Sequence, residues 1–297
     1  MNNAQIGFFV VLAIMSLVFL VSWVRAATKP GVDNRPKPID YGVGASMCFL
    51  DTLGIGSFAP TTALFKLFRM VPDELIPATL NVGTGMAAIA ESLIFVQSVT
   101  VEPTLLACTI GAAVIGAWFG AGIVRRMPRR NIQIFMGIAL MIAAVIFVGV
   151  SLNLLPGGGE ALGLTGWKFG VAVGANFVFG ALMTVGIGLF APCMITLALL
   201  GMAPITAFPI MMGACALVQM VGGTRFLQSG KVKFSTALGM AIGGLVGVAV
   251  AAFIVKSLPL YYLRWLVVVV VAYASFAMLR SAWQESSTSN AQVLRVQ

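Results

Sequence analysis

"GIGSFAP" at residues 54–60 and "GIGLFAP" at residues 186–192 decide how this chain is read. The heptapeptides stand 132 residues apart and differ at one position, Ser57 against Leu189. Each opens with two glycines, closes on proline and sits in an apolar tract that should otherwise be helix. Glycine permits a tight turn and close approach of the backbone to another group. Proline suits the first turn of a new helix, where its missing N–H is no loss. Each heptapeptide therefore predicts a broken helix. A simple packing kink is the alternative, and recurrence at one place in each half of the chain argues against it.

The surroundings are those of a membrane protein. Of the 297 residues, 9% are charged and 60% hydrophobic, too few charges for a water-facing surface when soluble chains carry about 25%. Runs such as residues 6–24 and 131–152 reach the ~20 residues that a bilayer span needs. The first run has no basic residue before it, so a retained helix is expected rather than a cleaved signal peptide. The four cysteines show no C-x-x-C spacing and histidine is absent, so nothing suggests a zinc site, a disulfide framework or triad chemistry. The net charge of +9 reports topology here, not nucleic-acid binding.

The repeat extends beyond the heptapeptide. Residues 42–77 align without gaps to 174–209, sharing Gly42, Leu50, Thr52, Leu67, Met70, Pro72 and Pro77 besides the motif. At a separation of 131, "GAWFGAGIVRRMP" (116–128) parallels "GVAVAAFIVKSLP" (247–259). The chain divides into a leading helix with a basic loop (1–40), a first unit (41–152), a Gly-rich connection (153–167), a second unit (168–281) and a tail (282–297). Cytoplasmic loops collect Lys and Arg. If residues 41–66 enter the membrane and return to the same side, 15 basic residues lie inside and 3 outside (Lys168, Lys256, Arg264). Arms of about 12 residues, roughly 18 Å of helix, reach the middle of a ~30 Å core. The expected fold is an all-α polytopic bundle of two inverted repeats, each with a broken or re-entrant hairpin meeting its counterpart near the bilayer midplane.

Irregular backbone at that depth must be buried in protein or line a wet cavity. The second arms, starting near Pro60 and Pro192, would aim unpaired N–H groups and a positive dipole end at the centre, a ready anion site. The candidate binding residues are Gly54, Gly56, Ser57, Phe58, Thr61 and Thr62 at the first break. At the second they are Gly186, Gly188, Phe190 and Cys193. Asn81, Thr84 and Gln219 lie on the helices that follow, where lining a cavity and gluing helices are both open readings. Thr52, Thr184 and Thr196 stand beside the breaks as further candidates. Asp51 and Glu91 are carboxylates inside expected spans, where ionisable groups are usually functional. They are candidate coupling groups for a proton, or structural partners of Lys66 or an arginine at a helix end.

These segments, with the "GAAVIGAWFGAGIVRRMP" helix of small residues and basic end, resemble the sulfite exporter TauE/SafE family over about residues 40–281. The resemblance implies a secondary transporter of small sulfur-containing anions (sulfite, sulfonates or sulfoacetate) in the bacterial inner membrane. It implies no enzyme activity, no cofactor and no metal. The partners are the anion and membrane lipid, with a proton as candidate coupling ion, no nucleic acid, and homo-oligomerisation left open. An anion channel of the same architecture is the first alternative, a membrane-embedded sulfur-transfer enzyme using Cys193 the second, and a subunit with vestigial sites the third.

Overall fold

The computed structural model describes residues 3–53, 56–95, 101–124, 126–152, 154, 161–186 and 188–254, together with 272, 275–276, 279–280 and 283. Among them the elements are helical, apart from one isolated bridge between Ala161 and Met202. In chain order they are α1 (Asn3–Ala27), α2 (Pro38–Thr52), α3 (Phe58–Leu67), a 3-10 turn (Asp73–Leu75), α4 (Ile76–Gly83), α5 (Gly85–Phe95) and α6 (Pro103–Val124). Then follow α7 (Arg129–Ser151), α8 (Gly166–Met183), α9 (Phe190–Leu199), α10 (Pro204–Ser229) and α11 (Phe234–Ile254). Among the described residues, five helices are long and apolar enough to cross a membrane: α1, α6, α8, α10 and α11. Large apolar side chains such as Leu17, Trp118, Phe119, Val145 and Phe253 stand on the outside, while Asp51, Asn81, Glu91 and Gln219 are buried. The polarity is that of a protein whose outer solvent is lipid.

The helix boundaries follow the internal repeat. α3 and α9 are both 10 residues long and sit in register at the spacing of 132. Each starts at the phenylalanine two residues before the expected proline. Pro60 and Pro192 thus occupy the third position, still in the first turn, where an N–H has no partner within the helix. Each helix also closes alike: Met70 N–H donates to Phe65 O and Met202 N–H to Leu197 O, both at 2.9–3.0 Å. The residue at the closing turn has positive φ in both, Arg69 at 49° and Gly201 at 97°. α6 and α11 begin at Pro103 and Phe234, the spacing of 131 found in the sequence. The units part company between these points. The first carries a 3-10 turn, α4 and α5 where the second has one 26-residue helix, α10, that runs through Pro209.

Packing between the units is reciprocal. α2 lies along α11, and α8 along α6. Both pairs touch backbone to backbone through glycine. A Cβ on Gly243 would overlap Tyr41 O, and one on Gly247 would overlap Ala45 O. One on Gly180 would overlap Ala113 O, and one on Gly116 would overlap Phe177 O. Small residues let apolar helices approach closely enough for dispersion to hold them without a hydrophobic drive. α10 is buried along nearly its whole length and packs on α1, α4, α5, α6 and α9.

The ends of the elements gather at two places. The start of α2 and the end of α3 both lie beside the first turns of α11. A Cβ on Gly239 would lie 2.9 Å from Pro36 Cβ. Lys233 donates from its side chain to Met70 O and from its N–H to Thr79 Oγ1 at 3.1 Å. Lys29, Asp33, Leu75 and Gly230 join this end around a shared cleft. The start of α8 and the end of α9 both lie beside the first residue of α6. A Cβ on Gly163 would lie 2.6 Å from Glu102 Oε2. Ala161 N–H donates to Gly201 O at 3.2 Å, and Ala203 N–H to Ala161 O at 3.0 Å. α10 runs from the second place to the first.

Candidate functional site

The first break spans the residues between α2 and α3. Gly56 turns the chain with φ of 90°, a conformation that L side chains rarely adopt. Asp51, buried on the last turn of α2, reaches across the break. Its Oδ1 accepts from Ser57 N–H and its Oδ2 from Ser57 Oγ–H, both at 2.8 Å. The carboxylate therefore sits at the amino end of α3, where the helix dipole favours negative charge. Ser57 was expected to offer its donors to a guest; Asp51 takes both. Thr61 and Thr62 are buried, and their hydroxyls donate back to Ser57 O (2.6 Å) and Phe58 O (2.9 Å) in their own helix. Gly54 lies outside the described residues.

The second break, between α8 and α9, is built without these groups. Gly186 makes the turn, with φ of 104°. Met183 occupies the place of Asp51 and Leu189 that of Ser57, both buried. The amino end of α9 therefore carries no such carboxylate, and its first N–H groups have no acceptor within the helix. The two breaks face each other. A Cβ on Gly56 would lie 3.8 Å from Phe190 Cβ, and one on Gly188 would lie 3.4 Å from Phe58 Cβ. Gly56, Phe58, Gly188 and Phe190 form this crossing point, with one glycine and one helix-starting phenylalanine from each unit.

A polar group borders the second break. Asn81 on α4 donates through Nδ2 to Pro77 O (2.8 Å) and to Met183 O (3.2 Å), the latter at the end of α8. Its Oδ1 is buried and has no hydrogen-bond partner. Thr84, at the junction of α4 and α5, lies within hydrogen-bond distance of Leu80 O (2.9 Å) and Gln219 Oε1 (2.7 Å). Gln219 Nε2 is buried and without a partner. Turning the Gln219 amide over exchanges which atom is left alone but does not satisfy both. Gly222, three residues along α10, keeps the space open: a Cβ there would lie 3.7 Å from Asn81 Oδ1 and 3.4 Å from Thr184 Cγ2. Unpaired buried polar atoms cost about 1–3 kcal/mol each, so two together mark a place to be completed.

The remaining candidates fall to either side. Glu91 on α5 is buried and accepts from Thr52 Oγ1 at 2.9 Å. Lys66 was one expected partner for Asp51 or Glu91. It pairs instead with Asp73 at 2.7 Å, and Gln133 of α7 donates to the same oxygen at 2.8 Å. Among the described residues no lysine or arginine pairs with Asp51 or Glu91. Cys193 is buried and its thiol donates to Asn176 Oδ1 at 3.5 Å, while Asn176 Nδ2 donates to Ala172 O. Sequence reasoning passed over Asn176; the signal was a lone amide in the apolar run "GVAVGANFVFG". It also passed over Gly222, which no pattern in the sequence singles out.

The family model described as Sulfite exporter TauE/SafE matches residues 2–147 and 169–296. No curated protein and no solved structure matches the chain.

Proposed function

The chain belongs to the sulfite exporter TauE/SafE family, and from that premise we propose that it is a secondary transporter of small sulfur-containing anions in the bacterial inner membrane. The observation that carries this reading is the crossing of the two breaks, Gly56 against Phe190 and Gly188 against Phe58. Two helix starts converge there in a protein whose outer face is apolar. At one start Asp51 takes the N–H and hydroxyl of Ser57. The other, at Leu189–Phe190, has donors left for the oxygens of a guest. Thr84, Asn81, Gln219 and Cys193 stand around it as the rest of the site.

The architecture proposed is a pair of inverted repeats, about 41–152 and 168–281, each opening with a re-entrant hairpin. Its support is the gathering of the α2 and α3 ends beside α11, and of the α8 and α9 ends beside α6. The first place collects Lys29, Lys66, Arg69, Lys231 and Lys233, which supports a cytoplasmic position for it. Alternating access is then the movement of one unit against the other around the crossing.

Glu91 is the proposed proton carrier, with Asp51 beside it. Thr52 has one hydroxyl proton and two acceptors, Cys48 O at 2.8 Å and Glu91 Oε1 at 2.9 Å. A proton on Glu91 completes the set: Thr52 then donates to Cys48 O and accepts from the carboxyl.

The test is flux into proteoliposomes holding only this protein. The panel is sulfite, sulfate, thiosulfate, taurine and sulfoacetate, with and without a pH gradient. Saturable flux of a sulfur anion is expected. Flux that rises linearly with concentration would mean a channel, and no flux from folded protein would overturn the transporter reading.

A further inference from the structure

We propose that the niche between α4, α8 and α10 selects anions that carry a hydrogen-bond donor of their own, through the unpaired acceptor Asn81 Oδ1. This rests on the transporter reading above and names the substrate class within it. Both amide protons of Asn81 are committed, to Pro77 O and Met183 O. Its orientation is thereby set, and the atom left facing the niche is an acceptor in a fully buried side chain. A bare oxyanion has only acceptors to present and leaves Asn81 Oδ1 unsatisfied. A guest with an O–H or N–H satisfies it while its remaining oxygens take the Gln219 amide and the amino end of α9. The amide of Gln219 does not alter this: turned either way, Asn81 Oδ1 remains.

The position fits the same role. Met183 O, to which Asn81 is tied, ends the helix before the second break, so Asn81 moves with that break. Gly222 leaves the room beside Oδ1 that a donor requires, and any larger residue would fill it. Two chemical sources share the needed feature: a singly protonated oxyanion such as hydrogensulfite, and a sulfonate with a hydroxyl substituent.

The experiment compares a hydroxyalkanesulfonate with the alkanesulfonate of the same chain length, two ions of equal charge, in proteoliposomes of the full chain at one pH. A second arm follows sulfite flux as external pH moves the ion between its protonated and bare forms. The unmodified protein should favour the hydroxysulfonate by about tenfold or more, the worth of one buried hydrogen bond. In the second arm, flux should follow the concentration of the protonated ion. Either preference sustains the proposal and identifies the source where Asn81→Ala abolishes it; a pH dependence that survives Asn81→Ala is proton coupling and counts against it. Asn81→Ala should bring the ratio towards one, whatever its absolute rate. Gly222→Ala, whose added methyl meets its neighbours at ordinary contact distance, should fold and lose the preferred substrate selectively. Thermal stabilisation of the purified chain by each sulfonate reads the same preference without transport. A ratio near one in both arms, as when water fills the niche, overturns this inference and leaves the transporter reading standing. No flux of any anion overturns both.

Discussion

Replacing Asp51 and Ser57 with the residues that the second unit carries, Met183 and Leu189, tests whether the first break is held by an internal anion. Ser57→Leu removes the 2.8 Å hydroxyl bond and leaves Oδ2 buried without that donor. Asp51→Met removes both bonds and leaves the Ser57 hydroxyl and N–H without their acceptor. Hydrogen bonds to charged groups contribute about 1.5–3 kcal/mol, so each single change should cost roughly 2–4 kcal/mol. The double variant removes both ends of the hydroxyl–carboxylate bond together. It should fall short of the summed losses by about 1.5–3 kcal/mol, the coupling that contacting residues show. At about 2 °C per kcal/mol for a chain of this size, the double variant melts roughly 3–6 °C above the additive expectation. Thermal melting of the four purified proteins in one detergent reads this directly. Losses that simply add, or a neutral Ser57→Leu, would refute the reasoning, because the pair would then not be what closes the break.

Three further outcomes follow from single positions. Glu91→Gln keeps an oxygen for Thr52 but carries no titratable proton. Uptake of an alkanesulfonate, which stays ionised throughout, should stop responding to a pH gradient, and accumulation still driven by the gradient would remove Glu91 from coupling. Gly180→Ala forces α8 away from Ala113 O and should cost about 1–3 kcal/mol. Gly174→Ala on the same helix meets nothing within 4 Å and should be neutral or gain up to about 1 kcal/mol from helix propensity; equal melting temperatures would discount the close crossing. Arg69→Gly should raise the melting temperature, since a left-handed residue with a side chain costs roughly 1–2 kcal/mol and the second unit has Gly201 at this place.

Much of the fold was legible because the duplication is local and in register. The heptapeptides located α3 and α9 to within two residues, and α6 and α11 start at the spacing of 131 that their later turns show in the sequence. The difference between α4–α5 and the unbroken α10 was hidden. Pro77 and Pro209 align, yet one opens a helix and the other lies inside one, since burial among five helices holds α10 together despite the proline. The bonding of Asp51 to Ser57 across the first break was half visible. Asp51 and Ser57 change together to Met183 and Leu189, but only the path of the turn shows that the side chain bends back across six residues. Lys66, left open as a partner for Asp51 or Glu91, goes to Asp73, which returns beside it seven residues on through the 3-10 turn. The unpaired atoms of Asn81 and Gln219 depend on which carbonyls lie in reach, and no pattern of residues records that.

The reciprocal clasp of α2 with α11 and of α8 with α6 has a consequence for how the protein is made. Asp40 packs beside Gly239, about two hundred residues later in the chain. At ~5–20 residues per second, the ribosome delivers that partner roughly 10–40 s after the first hairpin has emerged. For that interval α2, with Asp51 on its last turn, has no α11 to lie against. The first hairpin must wait, sheltered by the insertion machinery, until α11 has been made. Truncation before α11 should leave a nascent chain marked for degradation rather than half a transporter.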